Sequence, residues 1–230
     1  MTLKAGIGGL DRAPDPSLSV ANYRELAEGY DASCRFITRI RRLAVDALGL
    51  RQGDVVFDVA CGTGELLPLL AGRVGPRGRV VGIEHSPEMT ALARERIAGI
   101  GFSNIAIVEA AAQDAAVDLR ADALLFCFTH DVLQSPAAVH NLFRIAKPGA
   151  RVAAVGAKLI GRWWSPPIDA WTRFRARDYL TTYRGLDQPW APLERYCADL
   201  AVVRTFHAGT SYLAAGTSTS RRGVRLSAVP

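Results

Sequence analysis

The sequence predicts an open α/β fold built on a doubly wound, mostly parallel sheet. Asp54-Val55-Val56-Phe57 is a short apolar run that opens into the glycine turn Asp58-Val59-Ala60-Cys61-Gly62-Thr63-Gly64. A Leu-rich helical stretch follows directly, from Glu65 to Leu70. Strand and helix patterns then alternate as far as Val155, which argues for parallel strands joined by crossover helices. Two glycines at a strand-to-helix junction let the backbone turn tightly and leave no Cβ between it and a ligand. In such sheets ligands bind beyond the carboxyl ends of the central strands.

Size and composition agree. The 230 residues, 49% hydrophobic, suffice for one well-buried domain and fall short of two. No apolar stretch approaches the roughly 20 residues of a membrane span. The first residues, Met1 to Ser19, are rich in Gly, Pro and Asp, unlike a secretory signal. Cys34, Cys61, Cys127 and Cys197 are scattered, with no zinc or CxxC spacing, so no metal site is expected and a reducing cytoplasm fits best. The charge of +6 owes half its size to Arg221, Arg222 and Arg225 in the terminal segment. The remaining excess reads as a solvated basic surface, with an anionic substrate or lipid surface as the rival.

Taken in order, residues 1–16 read as a flexible arm and 17–216 as one domain. Within that domain, 17–50 form a helical lid, 51–157 the ligand-binding core, 158–200 a set of acceptor-side helices and 201–216 a closing hairpin. Residues 217–230 read as a disordered tail. The lid starts with a short helix from Ser17 to Gly29. A second helix follows, with Phe36, Ile40, Leu43, Ala44, Ala47 and Leu48 as its apolar stripe. Its polar face carries Arg35, Arg39, Arg42 and Asp46, and the lid is expected at the sheet edge, covering the glycine turn.

The second strand, Arg79 to Ile83, ends at Glu84. Ser86-Pro87-Glu88 then starts a helix with a Ser cap, a Pro in the first turn and a dipole-matched acid. Met89, Leu92, Ala93, Ile97 and Ile100 make its core face. A third strand covers Ile105 to Glu109, and a loop with a short helix covers Ala110 to Leu119. The fourth strand, Ala123 to Phe128, is continuously apolar, as a strand covered on both faces should be. It opens into Thr129-His130-Asp131. A helix capped by Ser135 follows, and Lys147-Pro148-Gly149 turns into a strand at Arg151 to Val155. Later, Ile168 to Leu180 reads as a helix with Trp171 and Phe174 inward, and Leu193 to Ala198 as another. Residues 202–206 and 211–215 pair as the closing hairpin.

Two cofactor classes use a strand, Gly-x-Gly, helix unit. A dinucleotide site wants a third glycine where this chain has Leu67. Asp58 would also repel a pyrophosphate, whereas a cationic ammonium group would be ordered by it. Val56 to Gly64 resembles the first signature of the class I S-adenosylmethionine-dependent methyltransferases. Val80 to Met89, Phe126 to Leu133, and Ile145 to Val152 resemble further signatures of that family in the same order, with Ala150 in place of a second glycine. The resemblance spans roughly Tyr30 to Val155. It implies a three-layer, Rossmann-like, seven-stranded sheet with one antiparallel strand in the closing hairpin, and S-adenosyl-L-methionine as the cofactor.

Carried over to this chain, the resemblance makes Gly62 and Gly64 the points where backbone approaches the methionine moiety, with Ala60 in the same turn. Asp58 would order that turn and the amino group, and Glu84 would accept from both ribose hydroxyls. Met89 and His85 would contact adenine, and Gln113 or Asp114 its amino group. Tyr30 would close over the methionine end, with Phe128 beside it. His130, just past the fourth strand, is the candidate base for a protonated acceptor. Trp163, Trp164, Trp171 and Tyr179 are the candidate walls of an acceptor pocket.

The acceptor itself reads as a small molecule, anionic or lipid-like options included, taken by a monomer or homodimer. The signature of base-amine methylation is absent, so nucleic acid is disfavoured. A protein of this fold that binds the cofactor for a non-methylating reaction, or only binds it, remains the alternative.

Overall fold

The computed structural model describes residues 12–219. Residues 1–11 of the arm expected at 1–16, and residues 220–230 of the tail expected at 217–230, lie outside the described residues. Seven strands form one sheet in the order β3-β2-β1-β4-β5-β7-β6. In chain order these are β1 (Val55–Val59), β2 (Arg79–Glu84), β3 (Ile105–Glu109), β4 (Ala121–Cys127), β5 (Ala146–Ala157), β6 (Ala201–Phe206) and β7 (Ser211–Thr217). The first five pair in parallel, while β7 runs antiparallel to both its neighbours. The closing hairpin and its one antiparallel strand are as the family resemblance implies. Its last strand reaches Thr217 and Ser218 bridges to Cys197, so ordered structure runs past the expected boundary at 216.

The layers follow from strand alternation. Phe57, Val59, Leu124 and Phe126 point to one face, where Leu133, Val139 and Leu142 cover them. Val56, Val80, Leu125 and Ala153 point to the other, against Ile40, Ala44, Leu48, Leu67 and Leu70. The first cover is α6 (His130–Leu133) and α7 (Pro136–Arg144); the second is α3 (Thr38–Ala47) and α4 (Leu67–Val74). Burial of both faces explains why the central strands lack polar alternation.

Ser86 caps α5 (Pro87–Ala98), its Oγ accepting from the Met89 amide, and Ser135 caps α7 in the same way. Between Ala121 and Ala123 of β4, the facing strand β5 advances from Ala146 to Arg151. The Lys147-Pro148-Gly149-Ala150 segment is thereby extruded as a bulge, with Gly149 at φ +79°. The segment expected to turn into the strand is therefore part of it.

Several expectations need correction. The lid helix α3 packs across β4 and β5 rather than at an edge. Phe36 precedes it in a 3-10 turn and is 61% exposed, while Arg41 takes a buried place on the core face. Ile100 lies beyond the end of α5 and is exposed. No helix forms in 110–119, and residues 191–195 make a 3-10 turn instead of a helix over 193–198. In α8 (Pro166–Ala176) the buried residues are Asp169 and Thr172, and Trp171 and Phe174 face outward. The cause is polar: Asp169 accepts from the Ile160 and Gly161 amides and from Ser165 Oγ, which turns that side of the helix inward.

Candidate active site

The site is built at the carboxyl ends of β1, β2 and β4. Beyond β1 the chain turns through Ala60 (φ +51°) and Gly62 (φ +56°). The Gly62 amide donates to Glu84 Oε2 at 2.9 Å, and the His85 and Ser86 amides donate to Glu84 Oε1, each at 2.9 Å. Three backbone donors thus hold a carboxylate that is only 5% exposed and faces a cavity. Its beneficiary includes His85, whose pKa is raised chiefly by its contact with Glu84.

That cavity, of about 50 Å³, is lined among others by Ala60, Gly62, Glu84, His85, Met89 and Phe128. Its outer wall is Ser19 and Tyr23 of α1 (Pro16–Leu26), and Tyr30, the first residue of α2 (Tyr30–Cys34). The wall is tied to the glycine turn by two polar clasps. Asp31 accepts from Thr63 Oγ1 at 2.6 Å and pairs with Arg96, which also donates to the Thr63 carbonyl. Glu65 accepts from Thr38 Oγ1 at 2.9 Å and pairs with the buried Arg41, whose guanidinium also lies over the Tyr30 and Phe128 rings.

Asp58 lies buried at the end of β1. Burial pushes its carboxyl up to about 7; Arg41 opposes the rise and Glu84 adds to it. It lines neither cavity described here.

A second cavity of about 400 Å³ meets the first at Tyr23, Tyr30, Phe128, Thr129, His130, Tyr179 and Leu180. Its walls are mostly aromatic and aliphatic, including Trp171, Leu186 and Tyr212, with Ser33, Thr172, Arg175, His207, Thr210 and Ser211 among the polar members. Phe128 holds φ +59°, so β4 breaks sharply at the junction, and α6 begins there at His130. His130 is 6% exposed and both its ring nitrogens lack a partner. Burial lowers its pKa to about 4, partly offset by the nearby Arg184 backbone, so the imidazole is neutral at pH 7. Thr129 Oγ1 and Asp131 Oδ1 are also buried and unpartnered, while Asp131 Oδ2 accepts from Thr181. Buried polar atoms are normally paired. This cluster between the two cavities therefore fits a ligand that supplies donors and acceptors, among them a cationic group for Asp131.

The expected residues divide accordingly. Tyr30, Ala60, Gly62, Glu84, His85, Met89 and Phe128 come together around the smaller cavity, and His130 and Tyr179 stand at the junction. Trp171 lines the larger cavity from its exposed rim. Trp163 and Trp164 line neither, and Trp163 is 91% exposed. Gln113 and Asp114 also line neither; in the turn after β3 Gln113 is half-buried and Asp114 exposed. Packing alone requires a glycine at 64: a Cβ there would sit 2.9 Å from Leu67 Cδ1 and 3.1 Å from Ala93 Cβ. Sequence reasoning missed Tyr23, Arg41 and Asp131. Arg41 had a signal, because it continues the spacing of Ile37, Ala44 and Leu48 on the face that became core.

A family model described as a methyltransferase domain matches residues 56–149. That stretch holds the glycine turn, Glu84 and the fourth strand with its junction. The matched stretch is similar to a methyltransferase domain, in keeping with the resemblance of the same motifs to the class I S-adenosylmethionine-dependent methyltransferases.

Two similar proteins are a 2-phytyl-1,4-naphtoquinone methyltransferase of Thermosynechococcus vestitus and a demethylmenaquinone methyltransferase of Symbiobacterium thermophilum. The first is 35% identical over 113 residues, covering 49% of this chain and 50% of its relative. The second is 29% identical over 182 residues, covering 74% and 70%. The chain thus spans about half the length of some curated relatives it matches. Among solved structures, a SAM-dependent methyltransferase from Aquifex aeolicus shares the fold, with TM-score 0.58, 24% identity and coverage of 78% of this chain and 89% of that one. Among the described residues, no helix is long and apolar enough to cross a membrane.

Proposed function

We propose that this protein transfers the methyl group of S-adenosyl-L-methionine to a small, largely apolar ring compound seated in the larger cavity. The observation that carries the reading is the junction: an acid-walled cavity and an aromatic cavity meet at Phe128, Thr129 and His130. Bound S-adenosyl-L-methionine supplies an electrophilic methyl group on a sulfonium.

The chain's own residues do the rest. Glu84, fixed by three amides, is suited to a vicinal ribose diol, and Met89 and His85 flank the same wall. Asp131 places a carboxylate in the wall where a cationic cofactor is held, while Asp58, buried beneath the glycine turn, acts on it through space rather than by contact. Tyr23, Tyr30 and Tyr179 close over the junction and exclude water, leaving the acceptor oriented by the walls. Neutral His130 offers an unpaired nitrogen that accepts a hydrogen bond from an acceptor hydroxyl and fixes its orientation towards the methyl group.

An electrophilic methyl group needs an electron-rich partner, so the acceptor is read as a hydroxylated aromatic ring, such as a reduced quinone, with an apolar substituent. The names of the two relatives, both quinone methyltransferases, support that class.

Incubation with S-adenosyl-L-methionine and reduced naphthoquinones tests the reading. Acceptor-dependent formation of S-adenosylhomocysteine is expected. Conversion of the acceptor without it would instead support a non-methylating enzyme of the same fold.

A further inference from the structure

A run of exposed aromatic side chains lies along and just before α8, beside the larger cavity. Trp163 is 91% exposed, Trp164 half exposed, and Ile168, Trp171 and Phe174 follow along one side of α8. Phe36 joins them across the mouth, with the Arg175 guanidinium 5.8 Å from its ring centre. Single exposed apolar residues are ordinary, but a run of tryptophans and phenylalanines beside a cavity mouth marks an interaction surface.

Its charge is one-sided. Arg162, Arg175 and Arg177 are exposed among these rings, and Arg177 lies 3.8 Å over Phe174. Of the acids on the same segment, Asp169 is buried and engaged with the Ile160 and Gly161 amides, and Asp178 sits beside Arg177. Tryptophan and arginine together suit the headgroup level of a bilayer, where the ring is half buried and the cation meets anionic lipid. Trp171, Phe36 and Arg175 belong both to this surface and to the cavity wall, so the surface and the cavity mouth are continuous.

We propose that the 161–168 loop, α8 and Phe36 form a docking surface for an anionic lipid bilayer, with the larger cavity opening into the membrane interface. An apolar acceptor could then pass from lipid to cavity without crossing water. Binding would be peripheral and reversible, since it combines shallow aromatic insertion with charge attraction.

Vesicle co-sedimentation of the full chain tests this, using phosphatidylcholine vesicles with and without phosphatidylglycerol. The wild type is expected to bind the anionic vesicles, to bind less as salt rises, and to show a blue shift of tryptophan emission. The double variant W163A/W164A is expected to lose binding about tenfold or more. R162A/R177A is expected to lose about fivefold per arginine.

These side chains are exposed, so unchanged thermal unfolding would show that the variants fold. Equal binding by wild type and W163A/W164A would overturn the proposal, because the attraction would then come from elsewhere, such as the basic terminal segment. A wild-type dimer that W163A/W164A converts to monomer would also overturn it, identifying the face as a contact between copies. The vesicle measurement needs neither cofactor nor acceptor, so its failure leaves the methyl-transfer reading standing.

Discussion

The Gly62 amide donates to Glu84 Oε2 at 2.9 Å, so the turn after β1 and the acid closing β2 are one unit. Removing the carboxylate should cost the ribose contacts and also release the turn. Glu84→Ala is expected to weaken S-adenosylhomocysteine binding by about 3 kcal/mol or more, roughly a hundredfold. Calorimetric titration checks it, and unchanged affinity would refute the ribose assignment.

The two glycines of the turn should fail differently. Gly64 has φ +74° and no room for a Cβ between Leu67 and Ala93, so Gly64→Ala is expected to destabilise the fold by about 2–4 kcal/mol. At Gly62 the nearest atom to a Cβ is Tyr30 Cε1 at 3.9 Å, so Gly62→Ala should cost about 1–2 kcal/mol of backbone strain while weakening cofactor binding more. Paired denaturant melts and binding titrations separate the two effects.

Asp58 predicts a pH dependence. With its carboxyl raised to about 7, the folded state binds more protons than the unfolded chain between about pH 4 and pH 7. Stability therefore falls as pH rises through that window, and Asp58→Asn should remove this slope. A cationic cofactor favours the ionised carboxylate, so its affinity should increase about tenfold from pH 6 to pH 8 in the wild type and less in Asp58→Asn. Titration calorimetry across that range reads both.

His130 slopes the other way. Its pKa falls from the ordinary value near 6.5 to about 4, so the unfolded chain binds the extra proton between those values. His130 therefore costs stability as pH drops below about 6.5, by up to about 3 kcal/mol once pH passes 4. His130→Asn should flatten acid unfolding in that range, measured by denaturant melts at successive pH values.

The core was legible because its physics is local. Strand runs such as Ala123 to Phe128, the Ser86 and Ser135 caps and the glycine turn each announce themselves over a few residues. What escaped depends on tertiary context. Arg41 carries a charge and reads as surface, yet Glu65 and the faces of Tyr30 and Phe128 give it a buried place. Trp163 and Trp164 are large and apolar and read as wall, yet Ser165 and Asp169 turn inward and leave them outside. Gly64 looked equivalent to Gly62 until the approach of Ala93 set them apart. Tyr23 and Asp131 gave no pattern at all, because only the folding of α1 and the Thr181 backbone onto the junction brings them there.

The central claim is tested most directly by following a labelled methyl group. With S-adenosyl-L-methionine labelled at the methyl carbon and a reduced naphthoquinone as acceptor, label should appear in the acceptor with equal S-adenosylhomocysteine. His130→Ala should slow this transfer about a hundredfold or more while cofactor affinity stays near the wild-type value. Label that never leaves the cofactor while the acceptor is nonetheless converted would contradict the account.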